Sequence, residues 1–166
     1  MYRRAFLLGT TALGGCSSLG LNTSTIDAVL SAAATEANTI ATLLGNAITA
    51  MAKAGFPGLT TDVLNIVSSS IAGIQQTSQA LLGAGALAEG QTNVQKIATY
   101  AAAALAALAL IPGLPAGVPA ILAGAAVLVP TMGAIVSMVL PKPVVPPNAP
   151  DVTPVQAHAL AATPTS

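Results

Sequence analysis

Residues 97–140 read IATYAAAALAALALIPGLPAGVPAILAGAAVLVPTMGAIVSMVL, and no charged side chain interrupts these 44 residues. Pro112 and Pro115 divide them into two apolar segments, because proline removes a backbone donor and ends a helix. A helix that is apolar on all sides lies either at the centre of a protein or in a membrane. The stretch therefore predicts the centre of a helical bundle or, alternatively, a transmembrane hairpin.

Two amphipathic helices are predicted before this stretch, since their apolar residues recur at steps of three and four. Gly55 and Pro57 end the first, and Thr61 with Asp62 opens the second through a cap and an acidic first turn. The first stripe consists of Ile26, Val29, Leu30, Ala33, Ala37, Ile40, Leu44, Ala47, Ile48 and Met51. The second consists of Val63, Val67, Ile71, Ile74, Ser78 and Leu81.

The third and fourth helices are predicted from their terminal signals. A loop is expected over residues 83–90, followed by a capping box in which Gln95 reaches back to Thr92. The third helix then ends at Ile111. The fourth begins near Pro119 and reaches Leu140, with a kink at Pro130 that costs about 3 kcal/mol unless packing compensates.

Short loops between these segments predict an all-α fold, an antiparallel bundle of about four helices over residues 25–140. Seven of the 12 prolines lie beyond residue 140. Residues 141–166 are therefore predicted to be a disordered proline-rich tail, and a short folded segment around residues 155–162 remains an alternative. His158, the only histidine, is expected to be a solvated residue of that tail.

The composition argues against a nucleic-acid partner and against an internal disulfide. The formal net charge is zero and only 6% of the residues are charged, so no basic surface predicts a nucleic-acid partner. The single cysteine, Cys16, permits no internal disulfide.

The N-terminus has the three parts of an export signal over residues 1–15. Its apolar run, residues 5–13, is too short to span a bilayer, which needs about 20 residues. Leu13, Gly14, Gly15 and Cys16 resemble the lipobox of bacterial lipoprotein signals. The resemblance implies cleavage before Cys16 and acylation of its sulfur and new amine, so that acyl chains bind a membrane through a tether over residues 16–24.

Arg3, Arg4, Phe6 and Leu7 resemble the twin-arginine export motif, which implies export after folding. Ser17 is similar to the residue that follows the cysteine of lipoproteins sorted to the outer membrane. The expected location is the cell envelope, on the periplasmic side, at the outer membrane. The body of the chain resembles small alanine-rich helical lipoproteins of unassigned role in bacteria and prophages.

The bundle and the transmembrane hairpin remain alternatives. Export of a folded protein favours the bundle, and so does the need of the two amphipathic helices for an apolar surface to cover. The length of the fourth helix favours the hairpin, because about 22 residues span about 33 Å.

No catalytic or metal-ligating set is predicted. Asp27 and Glu36 lie nine positions apart, which places them on opposite faces of a helix. His158 in a mobile tail is a poor general base. His, Cys and carboxylate residues are too few for a metal, and no cofactor is expected.

Three functions are compatible with these observations. The first is a lipid-anchored structural or interaction protein without catalytic activity, which binds a protein partner of the envelope. The second is a membrane-active helical hairpin, related to pores or lysis, that uses residues 97–140. The third is a carrier of apolar ligands.

Overall fold

The computed structural model describes residues 23–137 and 143–163, and this part of the chain is entirely helical apart from loops. Its helices are α1 (Thr23–Lys53), α2 (Thr61–Leu82), α3 (Leu87–Ala109), α4 (Val118–Ile135) and α5 (Pro154–Ala162). The predicted all-α class is confirmed.

The first four helices form an antiparallel bundle around one apolar core. Each is in contact with the next along the chain, α4 returns to α1, and α1 also touches α3 across the centre. The side-chain pairs fit this arrangement: Ser78 near the end of α2 bonds Asn38 of α1, and Gln91 at the start of α3 bonds the carbonyl of Val136 just after α4. The predicted antiparallel bundle is therefore confirmed.

Helix α1 is the central element, because it contacts all four other helices. Its buried surface is accordingly wider than the predicted stripe and also includes Ala34, Ala41 and Leu43. Val29 and Ile48 are only partly buried. One exposed polar residue of α1 also contacts α2: Asn38 accepts a hydrogen bond from the Ser78 hydroxyl at 2.9 Å.

Two helix starts differ from their predictions by one or two residues. The cap of α2 is Thr60 rather than Thr61, and its hydroxyl accepts from the Val63 amide at 3.4 Å. Helix α1 begins at Thr23, so the last two residues of the predicted tether are helical.

The start of α3 corrects a larger error. The predicted loop over residues 83–90 ends at Ala86, and the Thr92 hydroxyl bonds the Ala88 carbonyl inside the helix instead of forming a capping box. The Glu89 carboxylate accepts from the Gly85 amide at 3.3 Å and so binds a free donor before the helix. Gly90 lies within α3. A glycine is accommodated at this helical position because the Leu30 side chain occupies the space that a Cβ would fill.

Helix α4 lies between α1, α3 and α5. It ends at Ile135 rather than at Leu140, and residues 138–140 lie outside the described part. The helix continues through Pro130, which is exposed. Within the described residues, α4 is the one helix long and apolar enough to cross a membrane, and 61% of it is buried in the protein.

The C-terminal region differs most from its prediction. Residues 154–162 form α5, which packs against α1 and α4, so this segment is not disordered and corresponds to the short fold left open around residues 155–162. The expectation for residues 141, 142 and 164–166 lies outside the described part. The preceding residues 143–153, here called the strap, run along α4 and contain the buried Pro143.

Candidate functional site

Helix α5 docks in the groove between α1 and α4. Ala157 is fully buried there, and a Cβ built on Gly124 of α4 would stand 3.4 Å from the Cα and Cβ of Ala157. Leu160 of α5 lies above the same glycine, with its Cδ1 3.5 Å from that position. The docked face of α5 is thus small and apolar, and it rests on an apolar part of α4.

A polar contact joins α5 to α1 beside this apolar one. The Nε2 of His158 lies 3.0 Å from Oε1 of Glu36, and its Nδ1 lies 3.5 Å from the Thr39 hydroxyl. That hydroxyl also donates to the Thr35 carbonyl at 2.9 Å. Both ring nitrogens of His158 therefore face polar groups of α1. The expectation that His158 is a solvated tail residue is wrong.

The Glu36 carboxylate is only half satisfied by this contact. Its side chain is 14% exposed, and Oε2 is buried without a hydrogen-bond partner. A buried acceptor without a donor costs about 1–3 kcal/mol. The His158 side chain is 41% exposed, which screens its attraction to Glu36. The polar contact therefore orients α5 but stabilises its docking only weakly.

The three groups do not form a hydrolytic site. A nucleophilic hydroxyl must give its proton to the imidazole, whereas the Thr39 hydroxyl donates to a backbone carbonyl at 2.9 Å. Three surface cavities of about 390–450 Å³ lie along α4, beside α5 and at the α3–α4 loop, and Glu36, Thr39 and His158 line none of them. The geometry favours a docking contact over a reaction centre.

The local sequence explains why α5 begins at Pro154. The Thr153 hydroxyl accepts from the Gln156 amide at 3.3 Å, and the Gln156 side chain accepts from the Thr153 amide at 2.9 Å. This is a capping box with proline in the first turn. The pattern Thr-Pro-Val-Gln was the sequence signal for α5, and it is the signal that the high proline content obscured.

The strap leaves a shallow cavity of about 400 Å³ against α4, which is lined mainly by apolar residues together with Asp151. Its walls include Ala123 and Val127 of α4 on one side, and Val145 and Val152 of the strap on the other. Together the strap and α5 cover the outward side of α4.

The residues predicted to carry export and lipidation lie outside the described part of the chain. They are Arg3, Arg4, Phe6, Leu7, Leu13, Gly14, Gly15 and Cys16. Within residues 23–137 and 143–163, no group of three or more His, Cys, Asp or Glu side chains lies close enough together to hold a metal ion. The absence of a metal and a cofactor stays a prediction.

Comparison of the chain with protein-family models, with curated proteins and with solved structures found no match in any of the three.

Proposed function

We propose that this chain is a lipid-anchored protein of the bacterial cell envelope with a structural or interaction role and without catalytic activity. The observation that carries the proposal is the Leu13–Gly14–Gly15–Cys16 sequence at the end of a short apolar run. Acyl chains on Cys16 would bind the membrane stably, because two or more chains suffice where one does not. A protein partner of the envelope completes the proposal.

The distance between anchor and bundle supports this arrangement. Helix α1 begins at Thr23, seven residues after Cys16. Seven residues span at most about 25 Å, so an acylated Cys16 would hold the α1 N-terminus near the membrane surface. A partner would then meet the bundle close to the bilayer, at the outer membrane on the periplasmic side if Ser17 sorts as its resemblance implies.

The test is mass spectrometry of the protein purified from a bacterial membrane fraction. The expected product begins at Cys16 and carries the mass of a diacylglyceryl group and an added acyl chain. The matched variant Cys16→Ser is expected to keep its leader and to lose the lipid mass. An unmodified Cys16 thiol in the wild-type protein contradicts the proposal.

The export route has its own test. Replacing Arg3 and Arg4 by lysine keeps the charge but removes the paired guanidinium groups, and it is expected to stop export by the twin-arginine route. Export that continues unchanged contradicts this part of the proposal and leaves the lipid anchor standing.

A membrane-active role is the second candidate, and the composition of α4 favours it. Residues 118–135 contain no Asp, Glu, Lys, Arg or His. Release of a trapped dye from phospholipid vesicles by the purified protein would support this role, and intact vesicles at saturating protein would contradict it.

A further inference from the structure

We propose that the strap and α5 form a releasable cover over α4, and that the face beneath this cover contacts lipid hydrocarbon once α5 leaves. This inference rests on the second candidate function, and it does not depend on acylation of Cys16. It assigns the lipid-binding surface to one helix and gives the C-terminal segment control over it.

Helix α4 differs from the other helices because its contact with lipid would transfer no charged side chain out of water. Each of the other four carries at least one ionisable side chain, whereas α4 carries none. The ionisable residues of the others are Asp27, Glu36, Lys53, Asp62, Glu89, Lys96, Tyr100 and His158. Charged side chains are costly in a bilayer, so α4 is the helix whose transfer costs least.

The one polar side chain of α4, Thr131, is satisfied within the helix, because it donates to the Val127 carbonyl at 2.9 Å. Pro130 removes only the helix bond to the Ala126 carbonyl, and transmembrane helices tolerate such a loss.

The cover is built to separate from α4 without unfolding the bundle. Helix α5 has nine residues, too few to be stable alone, and Ala157 is its one fully buried residue. Its polar contact leaves Oε2 of Glu36 without a hydrogen-bond partner, so this contact stabilises the docking only weakly. Undocking of α5 therefore exposes one fully buried residue and breaks one weak polar contact.

Lipid is the occupant that fits the uncovered surface. Ala123, Gly124 and Val127 line the face beneath the strap and α5, and they offer no hydrogen-bonding side chain to a polar partner. Hydrocarbon requires only apolar contact from such a surface.

The test compares two substitutions on α5 that add the same charge. Ala157→Glu places a carboxylate on the buried face against α4, whereas Ala159→Glu places it on the exposed face. Because a buried unpaired charge is strongly unfavourable, Ala157→Glu is expected to raise the open population of α5 by at least about tenfold. Hydrogen exchange of the amides in residues 154–162 measures this release in the full chain.

The lipid contact is measured by photolabelling. Full-length protein is mixed with vesicles of phosphatidylcholine and phosphatidylglycerol that contain a phospholipid with a photoactivatable acyl chain, and labelled peptides are located by mass spectrometry. Peptides of α4 are expected to be labelled several-fold more in Ala157→Glu than in the wild type or in Ala159→Glu. A second variant, Thr153→Ala with Gln156→Ala, removes the capping box without altering α4 or a buried position, and it is expected to act in the same direction.

Each of the following results would overturn the inference. None of them bears on the acylation of Cys16, which is tested separately by mass spectrometry. Equal labelling of α4 in the wild type and in Ala157→Glu would show that the cover controls nothing, although α4 binds lipid. Released α5 with unlabelled α4 would show that the uncovered face does not bind lipid. Unchanged exchange in both variants would show that α5 is not releasable.

Discussion

Gly90 and Gly124 each face a side chain of another helix, and the two contacts differ in kind. At Gly90 of α3, a Cβ would overlap the Leu30 side chain, which is itself buried in the core. At Gly124 of α4, a Cβ would meet Ala157 of α5 at 3.4 Å, an ordinary van der Waals distance. The four-helix core is interlocked, whereas the fifth helix rests on its surface.

The difference predicts two levels of stability. Close-packed interiors transmit any change in side-chain volume to their neighbours, so a change in the core acts on the whole bundle. A short docked helix with one fully buried residue opens independently, as segments with few buried contacts do. Substitutions at matched positions in the two regions test this difference.

The largest effect is expected from Leu30→Ala. Leu30 is almost fully buried between α1 and α3, and its removal leaves a cavity against a glycine that cannot fill it. The free energy of unfolding is expected to fall by about 2–5 kcal/mol. Urea denaturation followed by circular dichroism measures the loss.

Val155→Ala serves as the control for the loss of apolar side chain. Val155 lies on α5 and is 79% exposed, so its removal is expected to leave the unfolding free energy almost unchanged. A loss below about 1 kcal/mol for Leu30→Ala would mean that α1 and α3 are not interlocked at this point.

A smaller loss is expected from Gly90→Ala. The added methyl group overlaps Leu30, which the surrounding core prevents from moving freely. Overpacking of this kind costs about 1–3 kcal/mol. Thermal and urea denaturation of the full chain measure it.

Gly45→Ala is the matched control for this substitution. Gly45 also lies within a helix, but its added Cβ meets nothing within 4 Å. Because alanine favours helix more than glycine does, this variant is expected to be more stable by up to about 1 kcal/mol. Equal effects at the two glycines would refute the close approach of Leu30 to Gly90.

The sequence predicted the four core helices because their signals are local and periodic. The apolar stripes of α1 and α2, the loops at Pro57 and Pro112, and the first turn of α4 all follow from spacing and turn residues. The predicted start of α3 is wrong because a glycine usually indicates a loop, whereas Gly90 lies inside the helix. The glycine makes room for the side chain of Leu30, which is 60 residues away in the chain. No local sequence pattern contains such a contact.

The docking site of α5 was missed for a similar reason. The partners Glu36 and His158 are 122 residues apart, and nothing in the spacing of α1 distinguishes Glu36 from its solvated polar neighbours. The capping box at Thr153 is a local signal for the start of α5, and it was not identified among the prolines of this segment. The lipidation and export residues, in contrast, were predicted from motif alone and stay predictions.

Removal of the N-cap side chain of α2 is expected to lower the unfolding free energy of the bundle moderately. Thr60→Ala removes the hydroxyl that accepts from the Val63 amide at 3.4 Å. The unfolding free energy of the whole bundle is expected to fall by about 0.5–1 kcal/mol, since α2 belongs to the interlocked core. The expected sign is a lower urea midpoint with an unchanged slope, and an unaltered midpoint would contradict it.

The smallest effect on global stability is expected from the same substitution at the cap of α5. Thr153→Ala removes an equivalent hydroxyl, which accepts from the Gln156 amide at 3.3 Å. A loss of about 1 kcal/mol in α5 alone corresponds to roughly fivefold faster hydrogen exchange over residues 154–162. The urea midpoint of the bundle is expected to stay at its wild-type value, because the unfolding of α5 precedes that of the core. If Thr153→Ala and Thr60→Ala instead lower the midpoint by the same amount, α5 unfolds together with the core, and the protein has one level of stability rather than two.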